Sequence, residues 1–268
     1  MILSTHGIVA SQIASFDADA QAFFDRVTAA GGSLSATEKA AVNQLVLDLK
    51  ANSLWTPMKA VYPMVGASAA ACAQNLKSSS FTGTFTSGWT YASTGVTPNG
   101  TSAYMDSGLN ASTNLTMANG HISFYSRTQN TTKNGWNIGA EISTTAFELS
   151  VYYAAVAQKV FLPGTYPTNS PVSSVTNTLG LHIGSATSTT SYKLYQNSSL
   201  LATNTTLNTF STPNFNIYIG ATNNNGSAVT HMPHQCAFAS IGDGLTDTQA
   251  SNFYTAVQAF NTTLSRQV

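Results

Sequence analysis

Paired carboxylates are the simplest catalytic arrangement that this sequence could build. It contains three glutamates, Glu38, Glu141 and Glu148. A retaining glycosidase needs two carboxyl groups about 5 Å apart, one as nucleophile and one as acid. Glu141 and Glu148 are seven positions apart, and an odd spacing puts them on opposite faces of one regular strand. Two strands could still bring them together, so a glycoside hydrolase stays open as an alternative, although we expect no catalytic residues.

Two imidazoles and a thiol, from His231, His234 and Cys236, lie within one short segment. Zn²⁺ prefers such ligands. The segment also fits a loop kinked at Pro233, in which the histidines hydrogen-bond to the backbone and Cys236 faces the core. No second Cys or His cluster accompanies it, so we expect no metal and keep the histidines only as candidates. Cys72 and Cys236 are predicted to be buried free thiols, because a disulfide framework needs more cysteines.

Aromatic side chains could form a platform on which sugar rings stack. The candidates are Trp89, Trp136, Tyr152, Tyr153 and Tyr166. Most aromatic residues of a β-sandwich belong to the core, but adjacent strand residues face opposite sides. At least one of Tyr152 and Tyr153 should therefore point away from the core, onto an uncharged surface of the kind that protein interfaces use. We predict aromatic binding contacts at Trp136, Tyr152, Tyr153 and Tyr166.

Charge is scarce in this chain of 268 residues, at 7% against about 25% in an ordinary globular protein. Lys+Arg and Asp+Glu number 10 each, so the formal net charge is zero. Without a basic patch we expect no sequence-independent nucleic-acid binding, and a neutral surface is poorly protected against association. No stretch is apolar enough to predict a membrane span, and the first ten residues lack the basic start of a signal peptide. We interpret the composition as that of a protein in an assembly.

Residues 1–77 are predicted to be helical. The segment 17–30 begins with acidic residues and ends before two glycines, which stop helices. Ser35 and Glu38 form a capping-box pattern ahead of a second helix, and the segment 57–62 permits a further turn that opens with proline. Two or three short helices are too few to form their own core, so we expect them to pack on the rest of the chain or on a neighbouring chain.

From residue 78 to residue 268 the pattern changes to alternation with period two, which predicts strands. It occurs at 121–126, 147–152, 179–183, 192–195 and 215–219. Asn-Gly pairs, which favour tight turns, lie at 99–100, 119–120, 134–135 and 225–226. Strands in succession without intervening helices predict an all-β antiparallel sandwich or barrel, and a last helix is predicted over 246–264.

The segment 194–202, which reads LYQNSSLLA, and FNIYIGA at 215–221 resemble the back half of a laminin-G or concanavalin-A-like jelly roll. That family continues with a strand ending in Ile-Gly-Asp and a helix beginning Leu-Thr-x-x-Gln. Here residues 241–243 read IGD and residues 245–249 read LTDTQ. The resemblance covers roughly residues 78–260 and implies a jelly-roll sandwich, a fold that often binds glycans on a concave face or at loop ends.

Laminin-G domains often hold a calcium ion, and the resemblance implies this chemistry for Asp106, Asp243 and Asp247. Calcium prefers oxygen ligands such as their carboxylates. Asp243 and Thr246 are equally well explained as helix-capping residues. We therefore expect no cofactor, with calcium as the open alternative and Asp243 as a candidate ligand.

A second resemblance is to a group of tailed-phage virion proteins. It rests on LWTPMKAVYPMVG at 54–66, NLK at 75–77, PNGT at 98–101 and HISFYSRT at 121–128. Those proteins carry a helical leader before a jelly roll. The resemblance implies a structural component of a phage particle, in the tail, a fibre or a capsid decoration.

The predicted fold is thus an all-β concanavalin-A/laminin-G-like jelly-roll sandwich over 78–268, behind an N-terminal helical attachment segment over 1–77. We expect a non-enzymatic structural protein of a virion, with other virion proteins and copies of itself as partners and neither nucleic acid nor membrane among them. Contacts between its neutral surfaces should depend little on salt. The alternative is a carbohydrate-binding adhesin module for host surface glycans, which needs exposed aromatic residues in a shallow groove with Asn or Asp nearby.

Overall fold

A computed structural model describes residues 15–143, 145–153, 158–165, 168–174 and 177–268. The helices within these ranges are α1 (Ala18–Ala29), α2 (Ala36–Ala51), α3 (Ala69–Cys72), α4 (Ala111–Asn114) and α5 (Asp247–Thr263). The strands are β1 (Met58–Tyr62), β2 (Thr84–Phe85), β3 (Trp89–Ala92), β4 (Gly95–Pro98), β5 (Met105–Asn110), β6 (Gly120–Ser126), β7 (Ile138–Ile142), β8 (Thr145–Tyr153), β9 (Gln158–Gly164), β10 (Val172–Ser174), β11 (Gly180–Ser188), β12 (Ser191–Gln196), β13 (Ser199–Asn204), β14 (Asn216–Ile219), β15 (Thr222–Asn224), β16 (Ser227–Val229) and β17 (Cys236–Gly242).

The strands form two sheets that face each other across an apolar core. Sheet A has the order β13-β12-β11-β6-β17-β4-β3, with β1 also paired to β17. Sheet B has the order β10-β9-β8-β7-β14-β5-β2, with the hairpin β15–β16 attached to β7. Neighbouring strands are antiparallel, apart from the parallel contact of β15 with β7. The predicted antiparallel jelly-roll sandwich is confirmed.

Alternation along the strands of sheet B explains why one face enters the core. In β8, Phe147, Leu149 and Val151 belong to the core between the sheets, whereas Glu148 and Ser150 occupy the alternate positions. Successive strand side chains point to opposite sides of a sheet. The same rule puts the residues between the core positions of β5, β7 and β14 on the outer face of sheet B.

The outer face of sheet A is covered by helices. Phe253 and Phe260 of α5 contact the ring of Phe238 on β17, with centroid distances of 5.8 and 6.3 Å. Helices α1, α2 and α5 share one apolar cluster with residues of sheet A. The helical segment therefore packs on the sandwich, as the sequence predicts. None of the described helices is long and apolar enough to cross a membrane.

Local capping sequences define the ends of the long helices. Ser35 and Glu38 form both hydrogen bonds of a capping box at the start of α2, and Thr246 and Gln249 do the same for α5. The last helix was predicted over 246–264 and is confirmed, because Thr246 caps α5 and Leu264 ends it. Such boxes satisfy backbone N–H groups that a helix start leaves free.

The helical turn predicted over 57–62 is wrong, since these residues form β1. Ala60, Val61 and Tyr62 pair with Ser240 and its neighbours in β17. The side-chain oxygen of Asn75 also accepts a hydrogen bond from the Val61 backbone N–H, at 2.8 Å. Long-range pairing thus overrides the local helix signal. The domain boundary at residue 77 stays a prediction, although β1 lies before it and belongs to sheet A.

Candidate ligand-binding site

The outer face of sheet B carries none of the long helices α1, α2 and α5. Strand register places five residues side by side across it: Thr84, Asp106, Tyr218, Gly139 and Glu148. These residues come from β2, β5, β14, β7 and β8 in that order. We call the outward-facing residues of β5, β14, β7 and β8, together with Tyr104 directly before β5, the open face.

Two stacked tyrosines form the aromatic part of the open face. The rings of Tyr104 and Tyr218 have centroids 4.4 Å apart and an interplanar angle of 22°. Tyr218 is 7% exposed, and Tyr104 is half-buried. Burial, together with the nearby Asp106 and Tyr104, raises the pKa of Tyr218 to about 12. Tyr218 therefore keeps its hydroxyl proton at neutral pH, and Tyr104 presents the more accessible ring of the pair.

Four hydrogen bonds hold the backbone of Tyr104 in place, and one of them is donated by Oγ1 of Thr86 to the Tyr104 carbonyl at 3.0 Å. The Tyr104 N–H donates to Oγ1 of Thr86 at 2.9 Å. Its carbonyl accepts from the Thr86 backbone N–H at 3.0 Å and from the indole N–H of Trp89 at 3.2 Å. The imidazole of His231 lies on another side, with its centroid 6.4 Å from the Tyr104 ring. A tyrosine fixed in this way loses little conformational entropy when a ligand stacks on it.

Polar groups surround the tyrosine pair on the side of β5. The carboxylate of Asp106 accepts from the Gly108 backbone N–H at 2.8 Å and from Nδ2 of Asn216 at 3.3 Å. Further along, Nδ2 of Asn110 donates to Oδ1 of Asn214 at 3.1 Å. Gly108 is exposed and has a φ of 68°, a conformation that favours glycine. A carboxylate and the amide of Asn216 therefore lie beside the rings, and the amides of Asn110 and Asn214 lie farther along β5.

The two glutamates converge on the open face from different strands. Glu148 is fully buried, Oε1 accepts a hydrogen bond from Thr222, and Oε2 has no partner. Burial raises the pKa of Glu148 well above its usual range, and the nearby Glu141 raises it further. Burial also raises the pKa of half-buried Glu141, while a hydrogen bond from Asn224 lowers it. The pair thus faces one side, but only Glu141 is within reach of solvent.

The predicted aromatic contacts fall in different places. Trp136 is 6% exposed and packs with Ala146 and Val172, so it does not present a ring for stacking. Tyr152 is half-buried near the end of β8, and its N–H donates to Oγ of Ser150 at 3.2 Å. The side chain of Tyr153 and all of Tyr166 lie outside the described residues. A binding role for these two stays a prediction.

The segment that contains His231 and His234 is a loop, which agrees with the second interpretation given for it in the sequence analysis. His234 is buried and hydrogen-bonds to Nδ2 of Asn137 at 2.9 Å and to the Asn130 carbonyl at 3.2 Å. Burial lowers the pKa of His234 to about 4. Cys236 is a buried free thiol that contacts the Phe238 carbonyl, and Cys72 is also free and buried, as predicted.

The three aspartates considered for calcium lie apart. Asp243 pairs with Lys59 at 2.9 Å, and Asp247 pairs with Lys193 at 2.6 Å. Asp106 belongs to the open face of sheet B instead. Asp243 is not the helix cap either, since Thr246 has that position. Within the described ranges, no three His, Cys, Asp or Glu side chains are grouped as metal ligands would be.

The sequence did not single out Tyr104 or Tyr218. Tyr218 lies in the alternating strand predicted over 215–219, and its position between Ile217 and Ile219 places it on the outer face. Tyr104 lies just before β5, where no strand was predicted. The alternating pattern could have identified Tyr218 as an outward-facing ring. It could not have identified Tyr104 as its stacking partner, because Tyr104 comes from a distant part of the chain.

Comparison with known proteins shows the fold. No protein family matches the sequence, and no curated protein matches it. Domain 4 of AbnA, a GH43 extracellular arabinanase from Geobacillus stearothermophilus solved with arabinotriose, superposes with a TM-score of 0.52 at 14% identity, over 73% of this chain and 97% of that one. A Trypanosoma rangeli sialidase mutant with trans-sialidase activity gives 0.50 at 10% identity, over 81% of this chain and 39% of the sialidase.

A third similar structure is the CBM40 of the Ruminococcus gnavus IT-sialidase, bound to α2,3-sialyllactose. It has a TM-score of 0.35 at 16% identity, over 48% of this chain and 78% of that one. The arabinanase domain and the sialidase have the higher TM-scores. At this level of identity, their likeness extends to the β-sandwich architecture and not to particular residues.

Proposed function

We propose that this protein binds carbohydrate on the open face of sheet B. The observation that carries the proposal is the stacked pair of Tyr104 and Tyr218 beside Asp106 and Asn216. Sugar rings present apolar C–H faces that stack on aromatic rings, and hydroxyl groups that hydrogen-bond to carboxylates and amides. The open face offers both kinds of contact within one site, on strands or, for Tyr104, directly beside one, rather than on free loops.

The arrangement supports binding without catalysis. A retaining glycosidase needs both carboxyl groups at the scissile bond, but Glu148 is fully buried and joined to Thr222. Burial raises the pKa of Glu148 and also separates its carboxyl group from a ligand. The described part of the open face therefore has one accessible carboxylate of the pair, Glu141. We infer a binding module, not a hydrolase.

The fold neighbours favour this proposal over an assembly role. The arabinanase domain, 97% of which superposes on 73% of this chain, was solved with arabinotriose. A binding role for the present chain would use the same kind of sandwich with residues of its own. The ligand contacts proposed here, Tyr104 and Asp106, rest on the geometry of this chain alone.

Calorimetric titration with arabinotriose, xylotriose, cellotriose and lactose tests the proposal. At least one sugar should bind, and Tyr104→Ala should weaken that binding by at least about tenfold because the stacking surface is lost. Tyr104→Phe should retain it. Tyr254→Ala is the matched control, since Tyr254 is a partly buried tyrosine of the helical layer on sheet A. Binding that Tyr104→Ala leaves unchanged would contradict the site.

A second proposal is assembly with other chains, which the exposed apolar residues near β13 favour. A phage particle as its setting rests only on the sequence resemblance. Leu200, Leu207 and Phe210 are 47, 61 and 42% exposed. β13 is an edge strand of sheet A, and edge strands offer unpaired backbone groups to another chain. The apolar face of the helical segment is already used against sheet A. An attachment role for residues 1–77 therefore remains a prediction.

A further inference from the structure

We infer that Asp106 makes the open face select neutral sugars over anionic ones. This inference rests on the proposed function, since it concerns the charge of the ligand at the same site. Asp106 lies directly opposite Tyr218 in the strand register, so a sugar stacked on the tyrosine pair would meet its carboxylate. A carboxylate accepts hydrogen bonds from sugar hydroxyls and repels a sugar carboxylate.

The basic residues of the chain are concentrated on the other side of the sandwich. Eight of the ten lysines and arginines contact the helical layer, sheet A or the loops joined to them: Arg26, Lys39, Lys50, Lys59, Lys77, Arg127, Lys193 and Arg266. Lys133 is exposed in the loop before β7. The side chain of Lys159 lies outside the described residues. Among the described ion pairs, none involves Asp106 or Glu141.

The open face is therefore acidic where it is charged. Asp106 contributes one carboxylate beside the rings, and Glu141 contributes a second on β7. Glu148 adds no charge while its carboxyl stays protonated in the buried site. Among the described side chains, no lysine or arginine forms an ion pair with these carboxylates, so an anionic sugar would approach them without such a partner to offset their charge. Recognition of a carboxylate ligand normally uses arginine or lysine donors.

Electrostatic repulsion on a partly exposed surface sets the expected size of the effect. A unit charge about 6 Å from a ligand carboxylate, at a dielectric constant between those of protein and water, weakens affinity by about tenfold. Salt screens such interactions between exposed charges. The preference for neutral sugars should therefore shrink as the salt concentration rises, whereas a preference set by shape would not.

Matched ligand pairs provide the test. Affinities are measured for lactose against α2,3-sialyllactose and for galactobiose against digalacturonic acid, at low and high salt. The wild type should bind the neutral member of at least one pair about tenfold more tightly. Asp106→Asn should reduce this ratio several-fold, because the amide keeps the shape and removes the charge. Asp25→Asn, which removes an exposed charge from α1, should leave the ratio unchanged.

The outcomes separate this inference from the proposed function. Equal binding of neutral and anionic sugars at the tyrosine pair, or tighter binding of the anionic ones, would overturn the inference while binding itself stands. A ratio that Asp106→Asn and Asp25→Asn change equally would also overturn it, because net charge would then be the cause. If Lys133→Ala raises the ratio, a cation at the site is contributing and the inference fails. Binding of no sugar overturns both proposals.

Discussion

Thr222 donates a hydrogen bond to Glu148, and this contact joins β15 to β8 across β7. Gly139 of β7 lies between them in the register and permits the contact. A Cβ on Gly139 would lie 2.7 Å from Cα of Glu148, closer than real side chains approach. The Glu148 carboxyl is thus covered on the face where the proposed ligand binds, and burial raises its pKa well above the usual range.

The free energy of unfolding should decrease as pH rises because of Glu148. Its pKa is raised in the folded protein, so unfolding releases a proton at any pH between the ordinary glutamate value and the raised one. In that window the contribution of Glu148 to stability falls by about 1.4 kcal/mol per pH unit, and it is fully present only below the ordinary value. Glu148→Gln should remove most of this slope and stabilise the protein at neutral pH.

Urea unfolding of both proteins at pH 5 and pH 8 measures the effect. The comparison needs equal slopes of free energy against urea, which report equal surface exposure on unfolding. Glu141→Gln is the companion variant, since it removes the neighbouring charge that raises the Glu148 pKa and should narrow the pH window only in part, because burial is the larger cause. The difference in stability between the wild type and Glu148→Gln isolates this effect, because the buried histidines His121 and His234, whose pKa values are lowered to about 4, titrate in both proteins. A difference that is the same at pH 5 and pH 8 would contradict a raised pKa of Glu148.

The sequence predicted local features of the structure and missed those that depend on long-range pairing. The ends of α2 and α5 depend on capping boxes whose members are three residues apart, such as Ser35 and Glu38, so the sequence contains the whole interaction. Alternation identified β6, β8 and β14 for the same reason. β1 was missed because its strand partner, β17, lies near the other end of the chain.

The candidate site was missed for a related physical reason. The stacking of Tyr104 on Tyr218 depends on β5 pairing with β14, and no local pattern specifies that pairing. Trp136 was predicted as a binding contact because large aromatic residues suit sugar stacking. The loop before β7 instead buries it against Ala146 and Val172. Residue type indicated possible chemistry, but sheet topology decided which aromatic rings reach the surface.

Arg266 should be essential for stability. Its guanidinium is fully buried, and burial lowers its pKa to about 10. It donates to the carbonyls of Pro63, Met64 and Ala237 at 2.6, 2.8 and 2.8 Å. Arg266→Ala leaves these acceptors without donors, at about 1–3 kcal/mol each. The free energy of unfolding should fall by at least about 3 kcal/mol.

Urea unfolding provides the measurement for Arg266 too. Lys133→Ala, which removes an exposed basic residue, should change stability by less than about 0.5 kcal/mol. Arg266→Lys should be nearly as harmful as Arg266→Ala, because a compact ammonium group cannot reach several carbonyls in the geometry of a planar guanidinium. If Lys restored full stability, charge rather than the fork of hydrogen bonds would be responsible.

Concentration-dependent association should be mediated by the apolar residues near β13. Leu207 is the most exposed of the large apolar residues that the structure describes, at 61%, and it follows an edge strand. Burying such side chains contributes about 25 cal/mol per Å². The solution mass from light scattering should therefore rise with protein concentration. Because the contact is apolar, it should persist between low and moderate salt.

Leu207→Lys should reduce this association, since it places a charge in the apolar contact. Leu47→Lys is the matched variant, because Leu47 is an exposed leucine of α2 at 42%. Loss of association in Leu47→Lys alone would identify the helical segment as the contact, in agreement with the attachment role predicted from the sequence and against the role of β13. A wild type that stays monomeric throughout the series would contradict self-association through either surface and leave the sugar-binding proposal unaffected.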